Sequence, residues 1–178
     1  DNVDHPVSLY AATKKSNELM ASTYNHLYGI NVTGLRFFTV YGPWGRPDMA
    51  IYKFTEAMLN KRPIQVYAEG SLLRDFTYID DIVNGILAIL SKLFEGSSPL
   101  LLNIGHNHPV KVSELISELE QALGYKASIK YLPMQPGDVK NTFADIQRII
   151  SFCGFTPKTD LRTGLHKFCN WYLKFLKN

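Results

Sequence analysis

Helical and strand patterns alternate along this chain from one end to the other, and that alternation restricts its fold more than any other feature. Residues 31–41 hold Val32, Leu35, Phe37, Phe38 and Val40 and read as one mostly buried strand. The segment before it, 8–27, is rich in Ala, Lys, Glu, Leu and Met and reads as a helix, with Gly29 as its stop. Gly42, Pro43, Gly45 and Pro47 make the segment after it a loop. The spacing then predicts a helix over 49–60, short strands over 64–67 and 75–79 around a turn at 69–71, and an amphipathic helix over 80–93. In that helix Ile82, Val83, Ile86, Leu87 and Leu90 share one side. A strand over 101–104 follows, then a helix capped by Ser113 that runs to Leu123 and stops at Gly124. A strand over 127–132, a short helix over 144–153 and a last helix over 161–176 complete the chain. Such an order argues for an α/β or mixed α/β architecture, in which helices cover the faces of a sheet. No stretch reads as a linker, a repeat or a low-complexity segment.

Composition excludes several classes of function. Lys and Arg total 19 against 16 Asp and Glu, a formal charge of +3. That balance excludes a general nucleic-acid binder but leaves room for a small anionic ligand held by one or two arginines. No apolar run approaches the roughly 20 residues of a membrane helix. Cys153 and Cys169 are too few for a disulfide framework and match no zinc spacing. They read as free thiols in a reducing compartment, which points to the cytoplasm.

Three motifs carry chemistry. In Tyr10-Ala11-Ala12-Thr13-Lys14, the residues at i and i+4 share a helix face, so the Lys14 ammonium can lie near the Tyr10 phenol. A cation there favours phenolate, and a tyrosine tuned that way can take a proton from a substrate hydroxyl. The same spacing also suits an ordinary exposed helix pair. The loop Thr39-Val40-Tyr41-Gly42-Pro43-Trp44-Gly45-Arg46-Pro47-Asp48 leaves the carboxyl end of a strand, where α/β proteins place their ligands. Arg46 could grip a carboxylate or phosphate through two parallel hydrogen bonds, or stand in solvent beside a rigid Pro/Gly turn. In Arg74-Asp75-Phe76-Thr77-Tyr78-Ile79-Asp80-Asp81, Arg74 could hold a phosphate. Asp80 and Asp81 read as cap and first-turn charges of the next helix and not as metal ligands. No metal site is expected; His106 and His108 lack a nearby third ligand. No two glycines lie two residues apart and no Walker loop is present, so this stretch of sequence holds no recognisable nucleotide cradle.

Taken together, in order and spacing, these motifs resemble the extended short-chain dehydrogenase/reductase superfamily. The run Gly34-Leu35-Arg36-Phe37-Phe38-Thr39-Val40-Tyr41-Gly42-Pro43-Trp44-Gly45-Arg46-Pro47-Asp48-Met49 is similar to that of UDP-glucuronate 4-epimerases within the NAD-dependent epimerase/dehydratase family. Gln135-Pro136-Gly137-Asp138-Val139, Thr142-Phe143-Ala144-Asp145 and Gly154-Phe155-Thr156-Pro157 fit the same family. Related dehydratases and decarboxylases share the Tyr–Lys pair but carry a different sequence over 37–49.

The resemblance implies a fold: the C-terminal part of a Rossmann-type domain plus a mixed α/β subdomain that binds the nucleotide sugar. Residues 1–48 would finish the Rossmann-like domain, and 49–178 would form mainly the UDP-sugar subdomain, with some segments returning to the Rossmann sheet. The glycine-rich NAD loop and a Ser/Thr that orients the substrate would then lie upstream of Asp1, leaving this chain inactive alone. For the intact enzyme the resemblance implies NAD as cofactor and a UDP-sugar substrate. Tyr10 would be the catalytic base, and Lys14 would hold the nicotinamide ribose and lower the Tyr10 pKa. Thr39 and Arg46 would bind the sugar carboxylate, Arg74 the UDP diphosphate and Asp138 the UDP ribose. Lys140 stands where relatives often carry Pro. A homodimer through the helix bearing Tyr10 is also implied. A decarboxylase or dehydratase sharing the 4-keto intermediate, and a non-catalytic UDP-sugar-binding module, are the alternatives.

Overall fold

The computed structural model describes residues 3–94, 101–134 and 139–176. It opens with helix α1 (Leu9–Tyr28), capped by Ser8, whose hydroxyl accepts from the Ala11 amide at 3.1 Å. Gly29 closes the helix in the left-handed region at φ 65°, where a residue without Cβ is least strained. The expected single strand over 31–41 is two strands, β1 (Gly34–Phe37) and β2 (Thr39–Tyr41). They part at Phe38 because each joins a different sheet. Helix α2 (Ala50–Leu59), β3 (Ile64–Tyr67), β4 (Leu73–Tyr78) and α3 (Ile79–Phe94) follow. Then come β5 (Leu101–Ile104), β6 (Pro109–Lys111), α4 (Val112–Leu123), β7 (Ile129–Leu132), α5 (Gln147–Cys153) and α6 (Leu161–Phe175).

Among the described residues the strands form three small sheets. β1 pairs with β5 in parallel, Gly34 opposite Leu101. β2 pairs with β4 in parallel, Thr39 opposite Phe76, and β4 pairs with β6 antiparallel. β3 pairs with β7 in parallel. The mixed α/β architecture expected from the alternation is therefore present, with parallel pairing between distant segments.

Two departures from the sequence expectation have local causes. Helix α4 is capped at Lys111, and Ser113 lies inside its first turn; β6 runs straight into the helix and leaves no turn for a serine cap. On α3, Ile82 and Ile89 are buried, while Val83, Leu87 and Leu90 are exposed. The apolar stripe of α3 is thus wider than the surface that covers it here.

Among the described residues the interior forms two clusters. One joins β2, β3 and β4 to α2, α4 and α6 through residues such as Tyr41, Phe54, Val66, Phe76, Leu119 and Phe168. The other joins β5 to α3 and α5 through Leu102, Ile104, Ile82, Ile149 and Phe155, with Leu35 and Val40 packed against it. Helix α1 belongs to neither: none of its residues is buried. Its tie to the sheet is polar, a two-pronged pair in which Arg36 Nε and Nη2 donate to the two Glu18 oxygens at 2.6 and 2.9 Å. Among the described residues no helix is long and apolar enough to cross a membrane.

Candidate active site

The first turn of α1 presents Tyr10 to solvent, with 70% of the residue exposed. One turn on, the Lys14 ammonium sits over the Tyr10 ring, 5.3 Å from its centroid. The i, i+4 spacing therefore does bring the pair together, with the cation on the ring face, where the quadrupole attracts it. Both residues line a cavity of about 850 Å³ between α1 and β1, with Val7, Glu18, Arg36 and Phe37 among its walls.

Thr39 opens β2 and is half-buried. It lies beside Phe76, two positions past Arg74 on the neighbouring strand. The chain leaves β2 through buried Tyr41, whose phenol is pushed up by burial and kept neutral, and turns at Gly42, Pro43, Trp44 and Gly45. The Gly45 amide donates to the Gly42 carbonyl at 3.1 Å, and Trp44 takes φ 61°. That left-handed residue is held from outside: the Trp44 ring lies 5.3 Å from Trp171 and 5.5 Å from Phe175 on α6. The site loop is thereby tied to the last helix of the chain.

Arg46 follows, with most of its side chain in solvent. Its Nε donates to Asp48 Oδ1 at 3.0 Å and its Nη2 to Asp48 Oδ2. This pairing holds the guanidinium above its ordinary pKa, and Tyr10 adds to the effect. The same pairing holds the Asp48 carboxyl below its own ordinary value.

Arg74 is placed elsewhere. Its Nη1 donates to the Leu73 carbonyl at 2.9 Å and the Lys140 carbonyl at 3.2 Å. It therefore borders the segment that follows residues 135–138, and Asp138 lies outside the described residues. Asp80 and Asp81 both lie in the first turn of α3. Asp81 reaches beyond that helix, and its Oδ2 accepts from the Thr159 amide at 2.9 Å.

The residue that the motifs did not single out is Asp75. Fully buried, it accepts from the backbone amides of His106, Asn107 and Ala144 at 2.8, 2.9 and 2.8 Å. It fixes the turn after β5 and the entry to the α5 region around β4, directly beside Arg74. A carboxylate inside the strand run Asp75-Phe76-Thr77-Tyr78 was the available signal, because a buried charge must be hydrogen-bonded.

The sequence pattern of the NAD dependent epimerase/dehydratase family matches residues 1–105. The chain belongs to this family. Protein CapI of Staphylococcus aureus is 48% identical over 192 residues, an alignment covering 99% of this chain and 58% of that protein. UDP-glucuronate 4-epimerase 4 of Arabidopsis thaliana is 48% identical over 189 residues, 98% of this chain and 43% of that protein. Among solved structures, UDP-glucuronic acid 4-epimerase from Bacillus cereus in complex with UDP-glucuronic acid and NAD superposes with a TM-score of 0.89 at 33% identity. That match covers 96% of this chain and 54% of that one. The chain thus spans about half the length of the curated relatives it matches. The resemblance drawn from its motifs agrees with these matches, and its mixed α/β fold is that of the Rossmann-type epimerases.

Proposed function

We propose that this chain is the C-terminal portion of a UDP-glucuronate 4-epimerase, which interconverts UDP-glucuronate and UDP-galacturonate. The observation that carries the reading is Arg46: a guanidinium in the loop that leaves β2, already engaging one planar carboxylate through two bonds. The reading is supported by relatives that carry this activity in their names.

The side chains facing the α1 cavity suit a dinucleotide's ribose. Tyr10 and Lys14 present a hydroxyl and an ammonium side by side to a space of about 850 Å³. In this reading they hold the nicotinamide ribose, and the remainder of the NAD site belongs to the preceding half of the enzyme. NAD, when bound, supplies reversible hydride transfer at C4 of the sugar. Tyr10 takes the proton from the 4-hydroxyl and returns it after the sugar has turned over. Lys14 supplies the positive charge beside the phenol. Arg74 neutralises the diphosphate, and Asp138 is assigned to the ribose of UDP.

Arg46 and Thr39 hold the C6 carboxylate, and the chemistry explains why they must. A ketone at C4 stands β to that carboxylate, so CO₂ leaves readily once the C5–C6 bond lies perpendicular to the carbonyl plane. A two-pronged guanidinium fixes the position of the carboxylate as well as its plane, and so holds the C5–C6 bond away from that alignment.

Residues 1–48 complete the Rossmann-like domain in this reading, with α3, β5 and α5 returning to its sheet. The remainder forms the UDP-sugar subdomain. The packing of Leu35 and Val40 with the α3–β5–α5 cluster supports that division. We place the enzyme in the cytoplasm as a homodimer built on α1, whose exposed Leu19, Tyr24 and Leu27 offer the apolar contact. This half alone is inactive.

The test is product analysis on the full-length enzyme with UDP-glucuronate, together with Arg46→Ala. UDP-galacturonate without CO₂ release is expected, and Arg46→Ala weakens binding of UDP-glucuronate far more than of UDP-glucose. A pentose product, or equal weakening for both sugars, overturns the reading.

A further inference from the structure

We propose that Asp48 is a specificity-determining residue, an internal carboxylate that occupies Arg46 until the carboxylate of a sugar displaces it. The proposal rests on the reading of Arg46 as the carboxylate holder. Its basis is the geometry of the loop. Arg46 and Asp48 flank Pro47, whose ring fixes one backbone angle between them, and both prongs of the guanidinium edge are used at once, Nε on Oδ1 and Nη2 on Oδ2. A free uronate carboxylate is planar and carries the same charge, so it can replace Asp48 bond for bond.

Exposure makes the exchange feasible. The Arg46 and Asp48 side chains are 74% and 55% exposed, so neither must be dug out of a core. An exposed ion pair of this kind holds its partner by no more than about a five-fold factor. Asp48 is therefore a weak competitor that a well-seated substrate carboxylate overcomes. A neutral hydroxymethyl group offers no anion and leaves Arg46 on Asp48. The preference for a carboxylate sugar therefore comes from Arg46, and Asp48 tempers it, because only a carboxylate sugar must make the exchange.

The test uses the full-length protein with NAD, titrated with UDP-glucuronate and UDP-glucose at low salt. Asp48→Asn removes the competitor but keeps the shape of the loop. UDP-glucuronate is expected to bind about two- to five-fold more tightly to this variant, while UDP-glucose binding is unchanged. In an Arg46→Ala background the same substitution is expected to have no effect, because nothing is left to compete for. Three results overturn the proposal: equal tightening for both sugars, tightening that persists without Arg46, or weaker UDP-glucuronate binding in Asp48→Asn. The reading beneath it fails differently. If Arg46→Ala leaves the preference for UDP-glucuronate intact, Arg46 is not the carboxylate holder, and the role of Asp48 falls with it.

Discussion

The Lys14 ammonium rests on the face of the Tyr10 ring, 5.3 Å from its centroid. A phenylalanine at position 10 would keep that face and hence the seat of the cation. Tyr10→Phe therefore isolates the hydroxyl. In the full-length enzyme we expect turnover to fall by roughly 10²–10⁴-fold, the usual range for loss of a general base. Binding of UDP-sugar should stay within a few-fold of wild type. Equal losses in the dissociation constant and in kcat would show that Tyr10 is structural.

Helix α1 is fastened to β1 by Glu18 and Arg36, and this fastening is pH-dependent. Hydrogen bonding to Arg36 holds the Glu18 carboxyl below its ordinary value of 4.5, with burial opposing. A carboxyl lowered in the folded state stabilises the fold fully above its unfolded pKa, and that contribution disappears as pH falls through the folded pKa. Glu18→Gln should thus cost about 1 kcal/mol at pH 7, and the gap to wild type should shrink progressively below about pH 4.5. Urea unfolding across that range measures it. A gap that does not change with pH would rule out the charge as its origin.

Asp75 is expected to be far more costly to remove. Its carboxylate serves three backbone amides, and the bond to the Ala144 amide is fully buried. Asp75→Ala removes all three bonds and leaves the buried Ala144 amide without its acceptor, at a cost of about 3 kcal/mol. For a chain of this size that corresponds to a fall in melting temperature of roughly 6–12 °C. Asp75→Asn should lie between, because one oxygen still accepts while the amide group faces a donor. A loss for Asp75→Ala under about 1 kcal/mol would mean that the three amides find other partners.

The limits of legibility follow from what local pattern can encode. Helix positions were readable because periodicity and glycine stops are local: Gly29, Gly124 and Gly154 each close a helix in the left-handed region. Strand partners were not. The apolar run over 31–41 divides at Phe38 because its two halves pair with different strands far along the chain, β1 with β5 and β2 with β4. β6 carries no strand signature of its own, because it is three residues long and begins with Pro109, a residue that sheets tolerate at a strand start. In the candidate site, Tyr10, Lys14 and Arg46 stood out as a motif pair and a loop cation. The contact of Trp44 with Trp171 on α6 links residues 127 positions apart, and spacing carries no sign of it. The two-pronged bond from Arg46 to Asp48 lay within the loop that was singled out, yet the sequence does not say whether that carboxylate faces Arg46, Lys53 or solvent.

Gly164 shows the same dependence on distant packing and gives a prediction with a reversed sign. It lies inside α6, where replacing glycine by alanine ordinarily stabilises a helix by about 1 kcal/mol. Here α6 crosses the end of β2 so closely that an alanine methyl would stand 2.0 Å from the Tyr41 hydroxyl and 2.7 Å from the ring carbon bearing it. Tyr41 has little freedom to retreat. It is buried, its ring meets Phe76 and Tyr78 edge-on, and its hydroxyl donates to the Leu161 carbonyl at 3.3 Å. Overpacking of that kind costs about 1–3 kcal/mol, which outweighs the propensity gain. Gly164→Ala should therefore destabilise the chain in chemical denaturation. Because Tyr41 leads directly into the loop of Trp44 and Arg46, the same variant should also weaken UDP-glucuronate binding in the full-length enzyme. Adding Tyr41→Phe, which removes the nearest atom, should recover part of the stability. If Gly164→Ala proves neutral or stabilising, α6 is free to slide on β2, and it cannot be the element that holds the loop in place.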